Sequence, residues 1–374
     1  MNDKKINILF VTYSIDVGGL EMVVLNLIKK LDKDKFQPFV CTFKKKCDLE
    51  QEFIENGIKV YVIEKKEGID WALPIKIGRL IRRLKIRLVH THNVSPWLYV
   101  GVAKIMAPAV KLVHTEHSKL PLKKKALIMA ERLLSLFSFV IADSRDVESF
   151  LIDVVKISKE KLRVVYNGID CERFDKKVDV IRKKEELDIA PEEKLVGVVA
   201  RLVPVKNHAG LLRAFKFVIS KIPNVTLLII GDGFLKNELE VLRDELKIED
   251  KVRFLGNRAD IPELLSILDL FVLFSMSEGF SIALLEAMAA RCAIVTTNVG
   301  GNVELIEDNT NGVFVPAGDE NKLFEAMGKL LVSKELTGKL GREARAMIET
   351  NFGIEKMVLE YTKAYCQILK VGSK

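Results

Sequence analysis

In the segment 275–290, SMSEGFSIALLEAMAA, Glu278 precedes Gly279, Phe280 and Ser281, and Glu286 follows in an otherwise apolar run. Gly279 allows an unusual backbone turn, and Ser281 has the side chain to cap a helix. The amides of Phe280, Ser281 and Ile282 then stand unpaired at the positive end of the helix macrodipole, which suits a phosphate. Carboxylates accept hydrogen bonds from neighbouring hydroxyls: Glu286 is placed to take two of a ribose, Glu278 those of a sugar. The plainer alternative is a capped helix with two surface glutamates. It leaves unexplained a carboxylate inside IALLEAMAA, because a charge among apolar side chains needs a polar partner.

Arg201, Lys206 and Asn207 follow the apolar run VGVVA. Arg binds phosphate oxygens as a fork and Lys acts as a point charge, so two cations just past a strand end suit a phosphorylated ligand. Two solvated loop cations are the alternative. Gly18-Gly19 and Gly231-Asp232-Gly233 also follow strand-like runs. Such glycines either bring the backbone close to a ligand or merely complete a tight connection. Neither pair is a dinucleotide fingerprint, because Lys236 stands where the last glycine of that pattern belongs. Four of the five histidines fall within 90–117. His90 and His114 are expected at strand ends, and His92 and His117 in the loops just after, at the rim of a cleft. No carboxylate or cysteine is spaced to complete a metal site with them.

Alternating elements must hold these residues. Apolar, β-branched runs occur at 6–11, 39–43, 60–63, 88–91, 112–114, 139–142 and 164–166, with helical patterns at 20–31, 71–85, 122–138 and 144–156. Continuous apolar strands separated by helices predict a parallel sheet covered on both faces. The pattern pauses over the polar stretch 171–194, the expected linker. It resumes with strands at 195–200, 225–230, 252–255, 270–274, 293–296 and 313–315, and with helices at 207–221, 234–247, 281–290 and 319–333. The fold class is therefore α/β, with two Rossmann-like doubly wound lobes, 1–170 and 195–353. Ligands of such sheets bind beyond the carboxyl ends of the strands, here in a cleft between the lobes. The tail from about 335 is helical, and its last helix, about 354–374, is expected to pack back on the first lobe.

Charge is unevenly spread. The chain has a formal net charge of +8, and residues 73–132 alone hold 13 Lys/Arg against two Asp/Glu. A solvated basic face is one reading and an anionic membrane surface the other. Nucleic acid is not expected, for want of aromatic interleaving or a reader motif. Five scattered cysteines and the absence of a signal-peptide pattern point to a cytoplasmic chain, peripheral on the inner face of the plasma membrane if the basic segment docks there.

Taken together these motifs resemble the retaining glycosyltransferases of family 4, which have the GT-B fold. GGLE (18–21), TEHS (115–118), YNGID (166–170), ARLVPVKN (200–207), GDG (231–233), FLGN (254–257), SEGFSIALLEAMA (277–289) and NGVFVPAGD (311–319) keep the family's order. The resemblance implies a retaining, metal-independent, hexosyl-type glycosyltransferase. It would move a sugar from a nucleotide diphosphate sugar to a glycan or lipid-linked acceptor, in cell-envelope or exopolysaccharide assembly. By the same resemblance His117, Arg201, Lys206 and Glu278 are catalytic. Gly18, Gly19, Gly231, Gly233, Gly279, Phe280, Ser281, Ile282 and Glu286 join Arg201, Lys206 and Glu278 around the donor, and Glu21, His92 and Asn93 lie on the acceptor side. No cofactor is implied. The only Asp-x-Asp, Asp32-Lys33-Asp34, falls in an expected turn. Departures occur at Phe274 and Arg291-Cys292-Ala293 and concern element ends. An epimerase or hydrolase on the same fold, or a non-catalytic nucleotide-sugar-binding protein, are the competing expectations.

Overall fold

The computed structural model describes residues 5–16, 18–45 and 47–371. The chain forms two compact units, Met1–Gly168 with Ile354–Lys374, and Ile169–Gly353.

The first unit holds strands β1 (Ile6–Thr12), β2 (Phe36–Thr42), β3 (Lys59–Val62), β4 (Leu88–His92), β5 (Lys111–Glu116), β6 (Phe139–Ala142) and β7 (Leu162–Val164). They pair in the order β3-β2-β1-β4-β5-β6-β7, every pairing parallel. Order reverses between β1 and β4, a topological switch point. Helices α1 (Gly19–Lys30), α2 (Glu50–Glu55), α3 (Leu73–Arg83), α4 (Val94–Ala103), α5 (Lys125–Ser135) and α6 (Arg145–Phe150) supply the crossovers. The core packs strand residues Leu9, Val11, Val89 and Val140 against Leu73, Ile77 and Trp97 of the helices. The helix expected over 144–156 stops at Phe150 and runs into a π-helical turn over Leu151–Val155. Strand β7 ends where the run expected at 164–166 begins.

The second unit begins inside the expected linker. Helix α7 (Val180–Glu186) is capped by Asp179, whose side chain accepts from the Arg182 amide. Leu187 and Ile189 are buried with Leu195, Leu228 and Ile230, and Lys183 pairs with Asp260 at 2.6 Å. Residues 171–194 are thus part of this unit and not a free tether. They read as a linker because their charges are abundant, but several of those charges are paired. Strands β8 (Lys194–Val199), β9 (Val225–Ile230), β10 (Val252–Gly256), β11 (Leu270–Leu273), β12 (Ile294–Thr297) and β13 (Val313–Val315) form a second parallel sheet, ordered β10-β9-β8-β11-β12-β13. Helices α8 (His208–Lys221), α9 (Lys236–Glu245), α10 (Ile261–Ser266), α11 (Ile282–Ala289), α12 (Asn302–Leu305), α13 (Glu320–Leu331) and α14 (Lys334–Asn351) complete it.

The last helix, α15 (Ile354–Leu369), belongs to the first unit. Its Tyr361 and Tyr365 are fully buried there. Among the described residues no helix is long and apolar enough to cross a membrane.

Candidate active site

Two clusters stand at the carboxyl ends of the two sheets, and the larger is in the second unit. After β8 the chain turns through Arg201 and a 3-10 turn, Pro204–Lys206. After β11 it turns through Ser275 to Glu278 before α11 begins. The two loops are tied by the Met276 amide, which donates to the Val205 carbonyl at 2.7 Å. The Lys206 Nζ lies 2.6 and 2.7 Å from the two oxygens of Glu278. Ser275 Oγ donates to Glu278 Oε1 at 2.5 Å. Glu278 is buried, at 8% exposure, so this pair is held by fixed geometry and not by chance encounter. Arg201 is exposed and makes no side-chain hydrogen bond or ion pair among the described residues.

Ser281 caps α11, its side chain accepting from the Leu284 amide at 3.4 Å. The first-turn amides of an α-helix have no intrahelical acceptor, and a helix end of this kind suits an anion. Phe280 is buried, its ring 5.4 Å from Phe352, and Ile282 opens the helix. Glu286 lies one turn further along, partly buried. Burial pushes its carboxyl pKa up to about 7, with Arg173 pulling it back down. No side-chain hydrogen bond or ion pair holds it among the described residues.

The glycines divide: Gly279 departs from expectation, while Gly231 and Gly233 complete a tight connection. Gly279 has no positive φ; the demand falls on Gly300, at φ +52°, where an added Cβ would lie 1.9 Å from the Glu278 carbonyl oxygen. The amide of Gly301 donates to the Gly279 carbonyl at 3.0 Å. Gly300 and Gly301 therefore seat the Glu278 loop. Sequence reasoning passed them over, although they follow β12 as Gly18-Gly19 follow β1. Gly231, at φ +130°, and Gly233 approach the backbone of Ala200 and Leu202, to 2.2 and 2.4 Å of an added Cβ. The Leu202 amide donates to Asp232 at 2.9 Å. These two glycines clamp the loop that carries Arg201.

In the first unit, α1 opens on Gly19, with extended Gly18 before it and Glu21 in its first turn. The Glu21 carboxylate occupies the space a Gly18 side chain would need, 2.5 Å from an added Cβ. Asp32 accepts from the amides of Asp34 and Lys35, an ordinary turn contact. The histidines divide by partner. His90 is saturated, with Nδ1 2.7 Å from the Tyr365 hydroxyl and Nε2 2.7 Å from Thr115 Oγ1. His114 stacks on Trp97 at 3.9 Å and meets Thr91 at 3.0 Å and Glu116 at 3.3 Å. Both are structural, and burial lowers the pKa of each. His92 is not a rim residue: it ends β4 and is fully buried. Asn93 follows at φ +66° and precedes α4 without a side-chain cap bond. His117 comes directly after β5, its side chain 10% exposed, 3.1 Å from His92 and 3.3 Å from Asp143. Glu116 fixes the start of that loop by accepting from the His117 and Ser118 amides, both at 3.1 Å.

The family Glycosyl transferases group 1 matches residues 179–347, and Glycosyltransferase Family 4 matches 17–173. An N-acetylgalactosamine-N,N'-diacetylbacillosaminyl-diphospho-undecaprenol 4-alpha-N-acetylgalactosaminyltransferase of Campylobacter jejuni is 33% identical over 340 residues, covering 87% of this chain and 90% of the relative. The N-acetyl-alpha-D-glucosaminyl L-malate synthase of Bacillus anthracis is 29% identical over 327 residues, 85% of this chain and 84% of that protein. The crystal structure of Anabaena HepE in complex with UDP and glucose superposes with a TM-score of 0.88 over 97% of this chain and 100% of that one, at 23% identity, a likeness of fold. The chain belongs to the group 1, family 4 glycosyltransferases of the GT-B type.

Proposed function

We propose that this glycosyltransferase is a retaining, hexosyl-type enzyme that needs no metal. It moves a sugar from a nucleotide diphosphate sugar to a glycan or lipid-linked acceptor in cell-envelope or exopolysaccharide assembly. The observation that carries the donor reading is the part-buried Lys206–Glu278 pair just before the α11 N-terminus, its carboxylate buried. Lys206 spends two of its three N–H donors on Glu278 and keeps one for a phosphate oxygen. Arg201 adds a free fork and α11 its first-turn amides. Together they meet the charge that develops on the leaving diphosphate, at roughly 3–4 kcal/mol per well-placed donor. Glu278 takes hydroxyls of the transferred sugar, and Glu286 those of the ribose. A lipid-linked acceptor is supported by the Campylobacter relative, whose name includes diphospho-undecaprenol.

The surface of the first unit supports a membrane face. Both carboxylates of the basic segment 73–132, Glu116 and Glu131, are buried. The charge left at its surface is cationic, beside exposed Ile105, Leu122, Met129 and Leu133. Each basic residue near an anionic leaflet contributes about 1 kcal/mol. Pelleting with anionic but not neutral vesicles at low salt is expected; no pelleting would remove this part.

The donor reading is tested with UDP, GDP and ADP sugars by thermal shift and slow hydrolysis, beside Arg201→Ala. Stabilisation by one donor, lost in the variant, is expected. Complete donor consumption with no acceptor present would favour a hydrolase or epimerase, and no response to any donor a non-catalytic role.

A further inference from the structure

We propose that Asp143 is a positioning residue that sets the tautomers of both His117 and His92. Asp143 follows β6 and is buried. Its Oδ1 accepts from Ser144 Oγ at 3.2 Å; its Oδ2 lies 3.3 Å from His117 Nδ1 and 3.5 Å from Asn167 Nδ2. Burial raises the Asp143 pKa, while His117 and Ser144 beside it favour the carboxylate; that carboxylate only accepts, so with it ionised the proton of a neutral His117 ring sits on Nδ1. Its Nε2 then carries a lone pair and faces His92 Nδ1 at 3.1 Å. His92 must donate from Nδ1, which leaves its Nε2 with a lone pair. That nitrogen is buried and has no hydrogen-bond partner among the described residues. One carboxylate thus orders two rings through a chain that reaches the surface only at His117. Around the chain stand His90, 4.2 Å from His92 between ring centres, and His114 and Glu116. Burial and the neighbouring histidines lower the pKa of His92, which keeps it neutral.

The contrast with His90 separates this arrangement from ordinary packing. His90 has both nitrogens on hydroxyls and no exposure. His117 combines a carboxylate on one side with an edge at the surface, the arrangement that holds a working imidazole in one orientation. Asn167, of the YNG motif, gains a reason too: its amide points at Asp143.

The test is 15N NMR of the histidines, of which the chain has only five, assigned by single His→Gln variants. Wild-type protein is expected to show Nδ1–H for both His92 and His117. Nε2–H at His117 would overturn the proposal without any variant being needed. In Asp143→Asn the amide can donate to His117 Nδ1, so both rings are expected to switch to Nε2–H. With the turnover assay, which rests on the donor reading above, kcat of this variant is expected to fall about 100-fold or more with little change in donor KM. Switched tautomers with kcat within about twofold of wild type would sink the positioning role. If no donor is turned over, the donor reading fails while the tautomers still decide the proton order.

Discussion

Arg201 and Lys206 serve one proposed task but stand in different surroundings, and their variants should differ accordingly. Arg201 is exposed and unpaired among the described residues, so Arg201→Ala should leave stability within about 0.5 kcal/mol while turnover falls about 100–1000-fold. Lys206→Ala strands Glu278, 8% exposed, and should also cost about 1–3 kcal/mol of stability. Denaturant curves on the two variants check this, and equal stability losses would refute it. Glu286 carries a pH signature. Its pKa is raised by burial to about 7 from a usual 4.5. The folded state therefore holds that proton more tightly than the unfolded chain does. The contribution is full below pH 4.5 and is lost as pH rises through about 7. Glu286→Gln should raise the melting temperature relative to wild type at pH 8 more than at pH 4, yet weaken donor binding. An equal difference at both pH values would refute the assignment. Arg201, Lys206 and Glu278 were legible as loop residues because they lie a few residues beyond their own strand ends, and Glu286 as the one charge in an apolar helix. Asp143 and Asn167 were not, because their partners are 26 and 24 residues away along the chain, and only the registers of β5 with β6 and of β6 with β7 bring them together.

At the scale of elements, the strands were legible because parallel strands covered on both faces must be apolar throughout. The shift of β7 and the folded stretch 171–194 were not, since a polar surface helix and a linker have similar composition. The glycines give the sharpest element-scale prediction. Gly300→Ala forces φ +52° on a side chain and drives its Cβ into the Glu278 carbonyl. It should cost about 1–3 kcal/mol and displace the Glu278 loop, with a matching loss of donor affinity. Gly328 on α13 has no atom within 4 Å of an added Cβ, so Gly328→Ala should stabilise by about 0.5–1 kcal/mol. Chemical denaturation of the pair reads both signs at once, and a neutral Gly300→Ala would mean the loop is not seated as described.

For the molecule as a whole, the path of the chain decides which part folds alone. The second unit is one continuous segment, Ile169–Gly353, whereas the first leaves at Gly168 and returns at Ile354. Helix α15 brings buried Ile354, Met357, Val358, Tyr361, Ala364, Tyr365, Cys366 and Leu369 to that unit. A fully buried large apolar side chain contributes about 1.5–3 kcal/mol, so several together rival the net 5–15 kcal/mol that keeps a domain folded. Without the helix His90 also loses the Tyr365 hydroxyl and Thr115 that of Tyr361, while Phe36 loses the edge of the Tyr365 ring. A fragment of residues 1–168 should therefore show no cooperative melt. Residues 169–353 should melt cooperatively alone. Residues 1–168 joined to 354–374 by a short glycine linker should regain the transition, since the Gly168 amide already lies 3.1 Å from Met357 Sδ. Circular dichroism melts of the three proteins decide the matter. A fragment 1–168 as cooperative as the linked form would show that α15 is an attachment and that the histidine cluster stands without it.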